Sequence, residues 1–196
     1  MKKYVNILFI TFLLIISIIE FLKIKNQEYA IQLLIDKSAH LKHESSILKN
    51  NIIDSWQYER STLNMDNIYD ENEQKLSNDF WSSESPILIF RFSKIDCSQC
   101  VIEQIELINR VISNNHINCI IISDYSNKRQ LGIFKRTNEI KDIVYNSETL
   151  LHNETRTPYF CVYDNGIVSH IFFPDNDFPD LTKAYLKKVL QKYFKI

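Results

Sequence analysis

The stretch that decides the fold is FRFSKIDCSQCVIEQIELINRV, residues 90–111. An apolar run of β type ends at Phe92, and Cys97 and Cys100 follow within a few residues. Apolar residues then recur at helical spacing through residues 97–114, which predicts an amphipathic helix at the first cysteine. Three kinds of site use such a Cys-x-x-Cys pair: a redox dithiol, half of a metal site, and a pair of structural cysteines without chemistry.

The residues on either side of this stretch alternate between strand and helix patterns. Strands are predicted at 85–93 and 116–123, and a second helix is predicted at 126–141. The run HINCIIIS at 116–123 is apolar without alternation, as in a strand buried on both faces of a parallel sheet. Because a crossover helix joins the two strands, we expect them to be parallel.

The C-terminal part adds a hairpin and a closing helix. Residues 145–156 have loop character, and two β-runs within 157–173 are separated by Asn165-Gly166, a strong signal for a tight turn. An amphipathic helix follows, with Asp180 as its predicted N-cap. The order β-α-β-α-β-β-α predicts an α/β fold with one mixed sheet and helices on both faces.

The position of the two cysteines suits thiol chemistry. A thiolate is the nucleophile in thiol–disulfide exchange, and a helix N-terminus stabilises it through unpaired N–H groups and the helix dipole. Cys97 lies at or just before the first helical residue, so it is the expected nucleophile. Cys100 lies three residues further along the same face and can attack the mixed disulfide that Cys97 forms.

With Cys-x-x-Cys after the first core strand and Thr157-Pro158 opening the hairpin, residues 85–196 resemble the thioredoxin fold. Together with an almost wholly apolar run from Val5 to Leu22 and the acidic residues 57–84, they resemble membrane-tethered thiol-disulfide oxidoreductases of the TlpA/ResA type. The resemblance implies exchange of dithiol for disulfide with exported protein partners, an unknown electron donor and no cofactor. It also implies that Pro158 is cis, and that its loop faces the dithiol and holds the substrate chain through Thr157 and Pro158.

Asp96 departs from this family pattern, because relatives usually have Trp or another apolar residue before the first cysteine. A carboxylate beside Cys97 opposes formation of the thiolate, since a like charge disfavours the charged form. A less stable reduced form makes a better reductant, so this residue favours a reducing role. No acidic residue in the chain can be matched to the buried carboxylate that some relatives use as a proton acceptor.

Other functions fit the composition less well. Structural zinc needs four ligands, and Cys-x-x-Cys supplies two. Cys119 and Cys161 lie within apolar runs and are expected to be core residues. In the strand order that the resemblance implies, their strands flank the central one, which is too far apart for a disulfide. A net charge of −1 without a basic stripe argues against nucleic-acid binding. The alternative function is a redox-inactive thioredoxin-like binding or assembly module, which would have no need of two thiols at a helix N-terminus.

Residues 1–24 are predicted to form an N-terminal transmembrane anchor. The run from Val5 to Leu22 is almost wholly apolar and has about the ~17–25 residues that a spanning helix requires. No small-x-small pattern follows Ser17, which argues against cleavage as a signal peptide. With the short N-terminal tip inside, the bulk of the chain is expected on the extracytoplasmic, periplasmic side.

Two further segments precede the predicted domain. Residues 25–56 carry apolar and polar residues at heptad positions without Pro or Gly, which predicts a helical stalk. A simple spacer and a weak coiled-coil homodimer are equally consistent with this pattern. Residues 57–84 are polar and acidic, and they fit either a linker or a pre-domain hairpin formed by NIYDENEQKL at 67–76.

Overall fold

The computed structural model describes residues 2–65, 67–70, 72–82, 85–112, 117–125, 127–152, 154 and 156–194, with the backbone alone at 2–11, 78 and 112. The chain divides into two compact units, Met1–Ile47 and Leu48–Ile196. The first unit is helical, and the second contains the sheet.

Helix α1, Lys2–Tyr58, is uninterrupted, as expected for a segment without Pro or Gly. Apolar residues of its predicted heptad seam, such as Ile31 and Leu34, are exposed in this chain. Among the described residues, no helix combines the length and the apolar character that crossing a bilayer requires. The transmembrane helix predicted over residues 1–24 is therefore not found, and Met1 itself lies outside the described residues.

In the described part of the chain, five strands form one mixed sheet in the order β3-β2-β1-β4-β5. Strand β2 is parallel to both β1 and β3, whereas β4 is antiparallel to β1 and β5. The predicted parallel pair and the predicted hairpin are confirmed. The strands are β1 Ile87–Arg91, β2 Cys119–Ser123, β3 Val144–Asn146, β4 Tyr159–Asp164 and β5 Ile167–Phe172.

Strand β3 lies in a segment whose sequence indicated a loop. The buried Val144 is paired with Ile121 of β2, which places β3 at the edge of the sheet. A strand of three residues is too short to show a period of two, so sequence periodicity could not reveal it. The predicted loop at 145–156 is therefore wrong at its first two residues.

The polar segment before the sheet folds back on itself and reaches this edge. Asp70 Oδ1 accepts hydrogen bonds from the backbone N–H groups of Asn72 and Gln74, both at 2.8 Å. Tyr69 exchanges backbone hydrogen bonds with Asn146 of β3, at 3.1 and 2.7 Å. Because these bonds occupy part of the outer edge of β3, that edge is protected from pairing with other chains.

Helices cover both faces of the sheet. Side chains of α3, α4 and α5 pack on one face, around Phe90 and Val162. On the other face, Ile89 and Cys161 contact the end of α1, helix α2 and the adjoining loops. Because both faces are covered, every residue of β1 is buried. The helices are α2 Asn78–Trp81, α3 Ser98–Ile112, α4 Lys128–Thr137 and α5 Pro179–Val189, which continues as a π-helical turn, Leu190–Phe194.

Two predicted element ends can be compared with the structure. Asn165 and Gly166 have positive φ angles of 50° and 84°, which is the backbone conformation of a type I′ hairpin turn. Helix α5 begins at Pro179 after Phe178, so Asp180 lies in the first turn and is not the N-cap. The N-cap prediction is wrong because the fixed φ of Pro179 already suits the first helical position.

Candidate functional site

The two cysteines of the Cys-x-x-Cys motif form a disulfide at the start of α3. Cys97 immediately precedes the helix and Cys100 lies in its first turn, with 5.1 Å between their Cα atoms. The backbone N–H of Cys100 donates to Cys97 Sγ at 3.3 Å, so a helical N–H that lacks an intrahelical partner faces this sulfur. Cys97 is exposed and Cys100 is half-buried. The disulfide therefore presents Cys97 to solvent, with Cys100 behind it.

The residues between β1 and Cys97, which we call the dithiol loop (residues 92–96), are held by two carboxylates. Asp96 Oδ2 accepts a hydrogen bond from the backbone N–H of Ser93 at 2.6 Å. Asp124, which directly follows β2, accepts from Ser93 Oγ and from the backbone N–H of Lys94, both at 2.6 Å. Because β1 and β2 are parallel, their carboxyl ends lie at the same edge of the sheet and Asp124 reaches the loop.

A second loop, residues 156–158 before β4, contacts the dithiol loop; we call it the proline loop. The Thr157–Pro158 peptide bond is cis, as the family resemblance implied. Thr157 Oγ1 donates a hydrogen bond to Asp96 Oδ1 at 3.1 Å. Thr157 and Pro158 are both half-buried. The structure thus brings the predicted site residues Asp96, Cys97, Cys100, Thr157 and Pro158 to one end of the sheet.

Asp96, the last residue of the dithiol loop, is half-buried, and its carboxylate joins this loop to the proline loop. Burial raises the pKa of its carboxyl group; the hydrogen bonds from Ser93 and Thr157 partly oppose this rise, and the negative charge of Asp124 adds to it. The sequence assigned Asp96 to tuning of the Cys97 thiol, and that role stays a prediction. The hydrogen bond to the proline loop is a contact that the sequence did not reveal.

A buried ion pair adjoins this site and was missed by sequence reasoning. Arg91 lies at the end of β1, opposite Tyr159, which follows the cis-proline. The Glu154 carboxylate accepts from Arg91 Nε at 3.1 Å and from Nη2 at 3.0 Å, and the two side chains are 1% and 8% exposed. The Tyr159 hydroxyl donates to the same carboxylate at 2.6 Å. The arginine within the apolar run ILIFRF was the available signal, because a buried charge requires a partner.

The same arginine fixes the chain that leads into the proline loop. Arg91 Nη1 donates to the carbonyl oxygen of Ser147 at 2.9 Å, and Nη2 donates to that of Glu148 at 3.1 Å. Together with the pair to Glu154, these bonds attach the segment after β3 to the end of the central strand. The proline loop is therefore positioned from both sides, by Arg91 through Glu154 and by Asp96 through Thr157.

The remaining two cysteines lie outside this site: Cys161 is buried, as predicted for a core residue, whereas Cys119 is only half-buried. Cys119 and Cys161 are free thiols in different hydrophobic clusters, on opposite faces of the sheet, so the prediction that they do not form a disulfide is confirmed. Burial raises the pKa of the Cys119 thiol to about 12 and also raises the pKa of the Cys161 thiol. In the part of the chain that the structure describes, no three His, Cys, Asp or Glu side chains are grouped to hold a metal ion.

Neither a family model nor a curated protein matches this chain. Solved structures with a similar fold include one described as a thiol:disulfide interchange protein DsbE from Chlorobium tepidum. It is 8% identical, with a TM-score of 0.51, and the match covers 67% of this chain and 97% of the other. A thiol-disulfide isomerase from Corynebacterium glutamicum is 19% identical, with a TM-score of 0.45 and coverage of 64% and 94%.

A third similar structure is the thioredoxin domain of a thiol-disulfide oxidoreductase from Bacteroides vulgatus, with 10% identity, a TM-score of 0.47 and coverage of 65% and 96%. At such low identities the likeness identifies the fold alone. The mixed five-stranded sheet, the helices on both faces and the DsbE likeness together define a thioredoxin-like α/β fold. In this protein the fold carries a Cys-x-x-Cys disulfide at the start of α3.

Proposed function

We propose that this protein is a thiol-disulfide oxidoreductase that exchanges dithiol for disulfide with protein partners through Cys97 and Cys100. The observation that carries the proposal is the placement of the disulfide at a helix N-terminus, beside a cis-proline loop that is bonded to the residue before Cys97. The two cysteines would carry the electrons, the helix N-terminus would stabilise the thiolate, and the proline loop would bind the partner chain. A structural disulfide buried in the core would need neither the exposure of Cys97 nor the adjoining loop.

In the reducing direction, the Cys97 thiolate attacks one sulfur of a partner disulfide. A mixed disulfide forms and the other partner sulfur leaves as a thiolate. The Cys100 thiol then gives its proton to solvent, and its sulfur attacks Cys97 Sγ, which releases the second partner sulfur as a thiolate and forms the Cys97–Cys100 disulfide. Two electrons pass to the partner, and an unidentified donor must return them. The N–H of Cys100 donates to Cys97 Sγ in the disulfide, and the same donor would stabilise the Cys97 thiolate in the reduced form.

The proline loop is the proposed binding surface for the partner chain. Thr157 and Pro158 are half-buried and lie next to the dithiol loop, where backbone groups can hold an extended polypeptide across Cys97. Asp96 supports a reducing bias, because its carboxylate opposes the negative charge of a neighbouring thiolate. Destabilising the thiolate favours the disulfide form and makes the dithiol a better electron donor.

The proposed setting is the extracytoplasmic side of a membrane, with residues 1–24 as the anchor. The support is the apolar run between Val5 and Leu22 and the lack of a cleavage pattern after it. Helix α1 continues without interruption to Tyr58 and would act as a spacer, or as a weak dimerising helix through its exposed apolar residues. Exported proteins with disulfides are the corresponding partners.

The proposed function is tested by trapping. In the full chain with Cys100→Ala, a mixed disulfide on Cys97 has no resolving thiol, so it should accumulate with partner proteins and be released by dithiothreitol. The matched control is Cys97→Ala/Cys100→Ala, which should trap none. If the Cys100→Ala protein recovers no thiol-linked partner, the redox-inactive binding module becomes the better explanation. A reduction potential of about −270 mV would support a reductant, and one of about −120 mV an oxidant.

A further inference from the structure

One buried polar atom of helix α3, Oε1 of Gln104, takes no part in the proposed exchange chemistry. Gln104 lies on α3 and is 3% exposed, and its Oε1 has no hydrogen-bond partner among the described residues. A buried acceptor without a donor is costly, so such an atom in a folded protein calls for an explanation. Gln104 is four residues after Cys100, and residues four apart on a helix lie on the same face, one turn from each other.

The orientation of this carboxamide is fixed by its neighbours. The Glu103 carboxylate can only accept, and Asn176 Nδ2 donates to its Oε2 at 3.1 Å. Asn176 therefore presents its Oδ1 to Gln104, whose Nε2 donates to it at 3.4 Å. Gln99 Nε2 donates to the other oxygen of Glu103 at 3.0 Å. Turning the Gln104 amide over would place two oxygens against each other, so Oε1 is the atom that lacks a donor.

The oxidised disulfide cannot supply this donor, because neither sulfur carries a proton. Reduction breaks the S–S bond and gives Cys100 an S–H group on the same helical face as Gln104. We propose that Gln104 is a positioning residue whose Oε1 accepts a hydrogen bond from the Cys100 thiol in the reduced protein. The bond forms when Cys100 is a thiol, in the dithiol and in the mixed disulfide, and is absent from the Cys97–Cys100 disulfide. It therefore stabilises the reduced form and holds the proton on Cys100 until Cys100 attacks the mixed disulfide.

The proposal predicts the direction of two measurable changes. Gln104→Met keeps the length of the side chain and removes the acceptor. The reduced form then loses a hydrogen bond, and the oxidised form loses an unpaired buried oxygen. Both effects favour the disulfide, so the equilibrium constant for reduction by glutathione should fall about fivefold to tenfold. For this two-electron couple, a tenfold change is about 30 mV. The Cys100 pKa, measured by alkylation against pH in a Cys97→Ala background, should also fall.

A second substitution keeps an acceptor at the same place. Gln104→Glu retains an oxygen one turn from Cys100 and adds a negative charge, so it should raise the Cys100 pKa, whereas Gln104→Met lowers it. The comparison variant is Thr182→Val, because Thr182 Oγ1 is also buried without a partner among the described residues. Thr182 lies on α5, and its replacement should leave the redox equilibrium and the Cys100 pKa unchanged.

All variants are measured as full chains in glutathione buffers, with urea unfolding of the oxidised and reduced forms in parallel. An unchanged redox equilibrium in Gln104→Met would overturn the proposal and leave Gln104 as a packing residue. So would an equal loss of stability in the two redox forms, or a redox shift in Thr182→Val that matches that of Gln104→Met. The inference rests on the proposed function only in that the Cys97–Cys100 pair must be reducible. A pair that glutathione and dithiothreitol both fail to reduce would overturn the proposed function, and this inference with it.

Discussion

Replacing Arg91 by Met should destabilise the protein more than almost any other single change of charge. The Arg91 side chain is 1% exposed, and it donates to the Glu154 carboxylate and to two backbone carbonyl oxygens. Methionine fills a similar volume and donates nothing. Glu154, itself 8% exposed, would then keep its charge, and the Tyr159 hydroxyl would still donate to it. A buried charge that loses its partner is the cause of the expected loss.

The size of the effect follows from burial. Breaking a buried ion pair by removing one partner costs about 3–5 kcal/mol, which is a third or more of the total stability of many domains. With a urea dependence of ~2 kcal/mol per molar, the unfolding midpoint should fall by about 1.5–2.5 M. Oxidised full-length chains are compared, so that the disulfide is the same in each. Tryptophan fluorescence reports the transition, because Trp81 is buried against Tyr163.

Two comparisons decide whether loss of the Arg91–Glu154 ion pair causes the expected loss of stability. Lys183→Met makes a similar chemical change at an exposed pair, where the Lys183 and Asp180 side chains are 57% and 90% exposed, and it should change stability by less than ~0.5 kcal/mol. The double variant Arg91→Met/Glu154→Gln removes both charges, so its loss should be smaller than the sum of the two single losses. The reasoning is refuted if Arg91→Met costs no more than Lys183→Met, or if the two single losses simply add.

Three further predictions concern the thiols and Asp96. In the reduced folded protein, iodoacetamide should label Cys97 first. Cys119 and Cys161 should react only after denaturation, because burial raises the pKa of both thiols. Equal labelling of these cysteines without denaturant, measured by mass spectrometry, would contradict this prediction. Asp96→Asn removes a like charge and should lower the Cys97 pKa by up to about one unit. This corresponds to a repulsion of ~1.4 kcal/mol between charges ~6 Å apart at an effective dielectric of ~40. The rate of Cys97 alkylation is measured against pH, and identical curves for the two proteins would show that Asp96 has no effect on the thiol. Because burial raises the folded-state pKa of Asp96 above its ordinary value of 3.8, the native state binds this proton more tightly than the unfolded chain. The contribution of Asp96 to the free energy of unfolding should therefore fall as pH rises through the interval between the unfolded and folded pKa values. The urea midpoint of the Asp96→Asn protein should not show this fall with pH. Parallel pH profiles of the urea midpoint in the two proteins would contradict the prediction.

The parts of the fold that the sequence predicted correctly are those with local signals. The apolar runs of β1 and β2, the helical spacing after Cys97 and the Asn165-Gly166 turn each lie within a few residues of chain. Strand β3 has three residues, and its pairing depends on β2 and on Tyr69, so nothing within the segment itself could indicate a strand. Local periodicity therefore gave the long elements and missed the short edge strand.

The site was predicted less completely, because two of its contacts join distant parts of the chain. The Asp96–Thr157 hydrogen bond spans 61 residues, and the Arg91–Glu154 pair spans 63. Sequence spacing places Cys97 and Cys100 on one helical face, since that relation depends only on helix geometry. It cannot select Glu154 as the partner of Arg91 among the 24 acidic residues of the chain. The buried arginine could be recognised from the sequence, but its partner could not.

The position before Cys97 shows how the two loops constrain each other. An apolar residue there would spare the thiolate a neighbouring negative charge, but it would leave the Ser93 N–H and the Thr157 hydroxyl without the acceptor they share. Asp96 supplies that acceptor, so one carboxylate joins the proline loop to the dithiol loop. Under the proposed function, the same carboxylate is also predicted to oppose the Cys97 thiolate and to favour the disulfide form. Asparagine keeps a carbonyl oxygen for Ser93 and an amide that can donate to the Thr157 hydroxyl oxygen, and it lacks the charge. Asp96→Asn therefore removes the negative charge and keeps the hydrogen bonds to Ser93 and Thr157, whereas an alanine substitution would remove both.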